Sequence, residues 1–450
     1  MMRLCFACCL FLFAVPASFA EERLNPAAPS VLPGTQSEMK TAGFWISRHP
    51  SPDQAVMTSD GITAFNARVQ NGQKLTKDIF KTIADLKTDP LVGDLEKTFK
   101  AIKDMAYYDV RGNKADDEFL EKVRRNMDLS GVVMGVAPRY GLITRYADQR
   151  FLPTAEGLYA LAHDIDFDEL QNSALDIGTP VAVVHQSLDK QWVYVLSSDS
   201  DGWVRAANVA AGDMKTVRDY AVDMNFVMVT APKADIFTDK AKTQWVGYAR
   251  MGTRLPVIDV DQDMVEVQAP SRNKDGQLVL VSGYMNAEDI HVGYLPYTPR
   301  TIIKQAFHML NSPYGWGGMY GEQDCSAFLQ EIFSTVGVHL PRDSKNQALV
   351  GHEDAVFDEK VLEKEKLDPL GKAPAAVTLL PMKGHIMLYL GMVDGKPYAI
   401  HEIWAYRQDG GDKDIIRVIN KVVVSDLYLG QGSQKGSLLR RLSAIREVRE

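Results

Sequence analysis

Ser312-Pro313-Tyr314-Gly315-Trp316-Gly317-Gly318 leads into Asp324-Cys325-Ser326 and then an apolar series, Ala327, Phe328, Ile332, Phe333 and Val336, closed by Gly337. The apolar positions recur at helical spacing and the final glycine is a stop signal, so the stretch reads as a glycine-rich loop feeding a helix over 324–336 with Cys325 in its first turn. Backbone amides at a helix start favour negative charge, so the thiol pKa is expected to be lowered and the thiolate fraction raised. The glycines permit tight turns, and amides near the helix start are candidates for stabilising an oxyanion. A small buried cysteine is the competing reading.

A nucleophilic thiol needs a base, and His385 is the strongest candidate: it follows Gly384 and opens a strand over 385–390. After Val393, Asp394 and Gly395 a second strand over 398–402 carries His401 and Glu402, so the two strands form a hairpin. Register decides which of these reaches His385, because a one-residue slip reverses every side chain. A two-residue Asp394-Gly395 loop pairs His401 with Leu388 and leaves Glu402 as the nearer partner. A three-residue loop, Val393-Asp394-Gly395, pairs His401 with Met387 and makes it the same-face diagonal neighbour of His385. The three-residue loop is favoured, with Glu402 as runner-up.

Working outward, 301–310 carries Ile302, Ile303, Ala306, Phe307 and Leu310 on one helical stripe, and the charge run over 360–366 reads as a solvated face. The region from 297 onward is therefore α+β. Before it lie two series of short strands. The first covers 132–136, 142–146, 180–185, 192–196 and 203–206. The second covers 225–230, 244–250, 253–259, 264–269, 278–282 and the segment to Tyr294. Two consecutive small barrels follow from that texture. Residues 53–128 are helical in pattern, with Ile79, Ile83 and Leu86, then Leu95, Phe99, Ile102 and Met105, then Phe119, Leu120 and Val123. Pro26, Pro29 and Pro33 make the stretch before them a linker or wrapping tail.

The start of the chain, with Arg3, an apolar run over 4–15 and small residues Ser18 and Ala20, reads as a secretory signal cleaved near Ala20. It contains Cys5, Cys8 and Cys9, so Cys325 is left without a disulfide partner. No later apolar run approaches the ~18 residues of a membrane span. A formal net charge of −8 argues against nucleic-acid or anionic-membrane surfaces. No metal-ligand spacing is present and no cofactor is expected. His49, His163, His185, His291, His308, His339 and His352 read as structural.

These ordered motifs, together with Leu340-Pro341-Arg342-Asp343-Ser344 and Gln347, resemble the NlpC-type cell-wall peptidases, a papain-like group of cysteine peptidases. The resemblance implies Cys325 as nucleophile, His385 as general base and His401 as the residue that orients the imidazole. It implies a substrate site lined by Asp324, Asp343 and Ser344 and shaped by Tyr314 and Trp316. It also makes the two barrels similar to bacterial SH3-like modules. Relatives that trim peptides with a free amino terminus carry an aromatic residue before Gly-Trp-Val in the first module. Here Ser200 and Asp201 precede Gly202-Trp203-Val204, and Asp201 reads as an exposed turn residue.

The expected organisation is a signal (1–20), a tail (21–43), a helical region (44–128), SH3-like domains (129–215 and 216–296) and a papain-like α+β catalytic domain (297–450). The expected activity is that of an exported, metal-independent, monomeric peptidoglycan hydrolase. It would cut stem peptides between γ-D-glutamate and the diamino acid. The rivals are an inactive wall-binding protein and a cysteine-dependent acyl transferase.

Overall fold

The structure, a computed structural model, describes residues 25–82, 88–132 and 139–450. The expected leader at 1–20, Ile83 and Leu86, and residues 133–136 of the first expected strand lie outside these.

Among the described residues, five α-helices come first: α1 (Ala42–Ile46), α2 (Ser59–Ala67), α3 (Ile79–Thr82), α4 (Thr88–Lys103) and α5 (Asp117–Asn126). They divide between two cores. Trp45, Ile46, Phe65 and Val69 pack with the C-terminal region, whereas Leu91, Leu95, Phe99, Leu120 and Val123 pack against the first sheet.

That sheet is antiparallel and seven-stranded, with β1 (Arg139–Ile143), β2 (Ala147–Arg150), β3 (Gln171–Leu175), β4 (Pro180–Gln186), β5 (Trp192–Leu196), β6 (Asp201–Arg205) and β7 (Val209–Gly212) in the order β3-β2-β6-β5-β4-β1-β7. Every residue of β5 is buried because its two faces serve different cores: Trp192, Tyr194 and Leu196 on one side, Val193 and Val195 on the other. After α6 (Met214–Val222) a second seven-stranded sheet repeats the strand order. It contains β8 (Phe226–Val229), β9 (Lys233–Phe237), β10 (Trp245–Arg250), β11 (Arg254–Val260), β12 (Met264–Arg272), β13 (Leu278–Asn286) and β14 (Ile290–Val292), arranged β10-β9-β13-β12-β11-β8-β14.

The C-terminal region holds α7 (Pro299–His308), α8 (Cys325–Ser334), α9 (Ser344–Gln347), β15 (His352–Val356), α10 (Glu363–Lys372), β16 (Thr378–Met382), β17 (His385–Val393), β18 (Lys396–Gln408), β19 (Ile415–Asp426), α11 (Leu438–Arg441) and β20 (Ala444–Glu447). Its six strands run β15-β20-β16-β17-β18-β19. Phe328, Leu329, Ile332 and Phe333 of α8 are fully buried and share a core with Ile386, Leu388 and Ile400. Each such side chain contributes roughly 1.5–3 kcal/mol of burial, which seats the helix firmly on the sheet. The tail also packs here. Ala28 donates to the Val418 carbonyl at 2.7 Å, Val418 donates to that of Pro26 at 3.0 Å, and Leu32 is buried beneath β18 and β19.

Three expectations are corrected. The 360–366 run is not a uniform solvated face: Lys366 is 1% exposed. Its ammonium donates to the carbonyls of Leu439 (3.2 Å), Arg440 (2.8 Å) and Leu442 (2.8 Å), where the orphan acceptors of a helix end attract a cation. Asp201 is not an exposed turn residue. It begins β6, has its side chain only 6% exposed, and pairs with Lys77. The hairpin loop has two residues, not three: Val393 pairs with Lys396, and Asp394 and Gly395 both take positive φ, the type I′ geometry.

That tighter turn does not put His401 on the wrong face. The register shifts between Tyr389 and Gly391, leaving Leu390 as an extra residue, so that Leu388 faces Ile400. Continued by one residue, this register sets Met387 against His401. A bulge does what the longer loop would have done.

Candidate active site

Cys325 is the first residue of α8 and is 8% exposed. Asp324 caps the helix, accepting from the amides of Ser326 (3.1 Å) and Ala327 (2.9 Å). Such a cap contributes about 0.5–2 kcal/mol and fixes the angle at which the chain delivers the thiol. Arg342 grips the cap from outside. Its guanidinium donates to both Asp324 oxygens at 3.0 and 2.7 Å, to Ser326 Oγ at 3.1 Å and to Ser173 Oγ of β3 at 2.9 Å. One arginine thus ties the helix that carries Cys325 to the first sheet.

The thiol meets β17 at the amide of Ile386, the residue after His385. His385 Nε2 lies 2.7 Å from His401 Nδ1, and His401 Nε2 lies 3.0 Å from Ser425 Oγ on β19. All three side chains are buried. With Nε2 engaged, Nδ1 is the ring nitrogen of His385 left to exchange a proton with sulfur. That requires the Nε2–H of His385 to donate to His401, and the Nε2–H of His401 to donate to Ser425.

The electrostatics differ from the sequence expectation. Burial, and the Asp324 carboxylate beside it, push the Cys325 thiol up to about 12, against the opposing pull of the Ile386 amide and Arg342. The helix terminus does not win, because the cysteine is buried next to a negative cap. Burial and the neighbouring His401 and Arg441 hold His385 well below the ordinary histidine value, and burial with Arg441 brings His401 down to about 3. At neutral pH the resting set is an uncharged thiol and two neutral imidazoles.

Glu402 does not orient His385. It lies on the opposite face of β18 from His401, fully buried on the side of α8. The other expected residues are spread around the cleft. The half-buried Tyr314 has its phenol within electrostatic reach of Cys325. Asp343 is an exposed cap of α9, accepting from the Asn346 amide at 2.8 Å, with Ser344 beside it. Trp316 meets Phe167 edge-on at 5.4 Å. Phe167 belongs to the loop before β3 and also contacts Tyr314 (6.4 Å) and Trp404 (5.0 Å). The loop before β3 therefore packs against the aromatic residues of the Cys325 loop and of β18.

Sequence reasoning did not single out Arg342, Ser425 or Phe167. Arg342 had a signal, since it stands in the quoted Leu340–Ser344 motif and a buried helix-capping aspartate needs a cation. Ser425 and Phe167 had none. Behind the loop, Gly318 has φ of 89° and its Cβ position lies 2.6 Å from the Ala174 Cβ, so only glycine lets this loop dock on β3. Among the described residues no group of three His, Cys, Asp or Glu side chains is placed to hold a metal ion, and no helix is long and apolar enough to cross a membrane.

Residues 311–428 match the NlpC/P60 family, and residues 159–205 match the SH3 domain of the SH3b1 type. Over 223 residues the chain is 29% identical to the gamma-D-glutamyl-L-lysine dipeptidyl-peptidase of Bacillus cereus (strain ATCC 10987 / NRS 248), covering 44% of this chain and 60% of that protein. Over 110 residues it is 32% identical to the Bacillus subtilis (strain 168) protein of the same name, covering 24% and 29%. The chain thus spans less than two thirds of the length of either relative. Its fold is similar to that of an NlpC/P60 endopeptidase from Photobacterium damselae subsp. piscicida, with a TM-score of 0.77 at 20% identity over 94% of this chain and 98% of that one.

Proposed function

We propose that this chain, which carries an NlpC/P60 domain and an SH3b1-type module, is an exported cysteine endopeptidase of peptidoglycan stem peptides. Cys325 is the nucleophile, His385 the general base and His401 its orienting partner. The scissile bond joins γ-D-glutamate to the diamino acid, a choice supported by the names of the two curated relatives. The observation that carries the reading is that the thiol meets the amide of Ile386, the residue after His385, and that His385 is joined through His401 to Ser425.

The chemistry follows from the resting protonation. Sγ attacks the carbonyl carbon as its proton passes to His385 Nδ1, so thiolate and imidazolium form only together with substrate. His401, which stays neutral, accepts the Nε2–H bond of the new cation. Breaking the C–N bond returns that proton to the leaving amine and leaves a thioester on Cys325. Water then attacks the thioester, giving a proton to His385, and breaking the C–S bond restores the thiol. Tyr314 and Trp316 shape the cleft beside the thiol, with Asp343 and Ser344 at its rim. Asp324 acts mainly through the helix start, its oxygens being already engaged.

The two seven-stranded sheets are SH3-like barrels in this reading. The first narrows the cleft through Phe167 so that short stem peptides enter. The mature protein begins after a leader ending near residue 20 and works as a monomer without metal. The test is to incubate it and Cys325→Ala with a defined stem tetrapeptide, with and without an amino-sugar acid on its amino terminus, and to weigh the products. Cleavage after γ-D-glutamate by the wild type alone is expected. Intact peptides with folded, reduced protein would sink the proposal.

A further inference from the structure

Glu402 is a buried acid beside the nucleophile that the mechanism above leaves unused. It is 0% exposed, and neither carboxyl oxygen makes a hydrogen bond of good geometry; only the Gln323 side-chain amide approaches them. The β17–β18 register, continued from Leu388 opposite Ile400, sets Glu402 across from Ile386, whose amide holds the Cys325 thiol. The acid therefore lies on the face opposite His401, the α8 side, within electrostatic reach of the Cys325 thiol.

The groups around it are of one sign or none. From α8 come Cys325 and Glu331, and from the preceding loop Tyr314, Glu322, Gln323 and Asp324. Ile386 and Val422 face it from the flanking strands and are apolar. The two cations in the neighbourhood are committed elsewhere: Arg342 to Asp324, and Arg250 to Asp176 at 2.8 Å and to Glu331 at 3.1 Å. A carboxylate here would be desolvated, unpaired and opposed by its neighbours, the conditions that keep a carboxylic acid protonated.

We propose that Glu402 acts as an uncharged acid near Cys325, and that its ionisation sets the alkaline limit of the enzyme by placing a negative charge near the nucleophile. While protonated it adds no charge of its own beside the thiol as sulfur and the carbonyl oxygen become negative. Once ionised it opposes both. Glu402 is thus a positioning residue acting on the thiol's charge, an inference that rests on the peptidase reading above.

The test compares wild type, Glu402→Gln and Glu331→Gln as mature proteins by two readouts. In kcat/KM against pH with a stem peptide, the wild type is expected to fall about tenfold per unit past the ionisation, and Glu402→Gln to carry that limb at least about one unit higher. Glu331→Gln, which alters the other raised acid nearby, is expected to leave the limb in place. In the second readout, Cys325 of Glu402→Gln is expected to be alkylated by iodoacetamide about tenfold faster than wild type at alkaline pH, the equivalent of one unit of thiol pKa. Coincident limbs and equal alkylation rates in wild type and Glu402→Gln would overturn the inference, as would a shift in Glu331→Gln alone. The alkylation readout needs no substrate, so it still decides the role of Glu402 if no stem peptide is cleaved.

Discussion

The two ends of the Asp324 peptide belong to different electrostatic regimes. On the cleft side, Cys325, His385, His401 and Ser425 are buried and uncharged at rest, and burial holds the Glu402 carboxyl well above its ordinary range. On the far side, Arg342 clamps Asp324 and reaches Ser173, while Arg250 of β10 pairs with Asp176 after β3 and lies 3.1 Å from Glu331 of α8, whose carboxyl is pushed up to about 8 by burial. Charge is concentrated where three parts of the chain must be held in register and excluded where a proton must move. The difference is physical: a buried ion pair is rigid but tolerates no change of charge, and a neutral relay can accept a transient one.

The largest effect should come from the neutral side. His385→Ala is expected to lower kcat/KM by about 10²–10⁴-fold, the usual contribution of a general base, with little change in melting temperature. Because burial, His401 and Arg441 hold His385 well below 6.5, the acid limb of the wild-type profile should also fall below pH 6.5. A limb at or above that value would mean that the histidines are not kept neutral by their surroundings. On the charged side the order reverses. Arg342→Gln leaves Asp324 buried and unpaired, which is expected to lower stability by about 3–5 kcal/mol in denaturant unfolding. Measured on the folded fraction, its kcat should move far less than that of His385→Ala. A variant that unfolds normally yet has lost chemistry would erase the distinction between the two sides.

Gly318→Ala probes the same side by shape rather than charge. A Cβ there meets Ala174 at 2.6 Å with φ at 89°, so a loss of about 1–3 kcal/mol is expected. Faster limited proteolysis between the first sheet and the C-terminal region should accompany it. Unchanged proteolysis and melting would show that the loop does not bear the docking.

Periodicity made much of the architecture legible. The strand expected over 192–196 is β5 to the residue, and the cysteine-bearing helix starts within one residue of its expected place. These segments have strong local patterns and local caps. The histidine hairpin was legible only in its outcome. Its parity matched, but through a bulge at Leu390 that no rule of turn length announces, because a bulge is set by packing on both faces of the sheet. The strand β3 and the Arg342 clamp were missed for a related reason. Their meaning lies in partners far along the chain, Gly317 and Gly318 for Gln171 and Ala174, Ser173 for Arg342. The thiol's direction of shift was misread because a helix start is visible in sequence and burial beside a capping carboxylate is not.

The smallest expected effect tests whether the charged regime extends to the edge of the junction. His339, read from sequence as merely structural, lies 2.9 Å from Asp199 in the turn before β6, while its amide donates to Asn66 of α2 at 2.9 Å. Asp199 raises the His339 pKa above 6.5. A histidine raised in the folded state stabilises fully below its unfolded value, and that contribution fades as pH rises through the folded one. Wild type should therefore melt above His339→Gln at mildly acidic pH, with the gap closing as the solution becomes alkaline. The gap should be modest, since the ring is partly exposed and solvent screens the pair. A gap that is constant with pH would assign the stabilisation to packing and end the charged junction at Arg342.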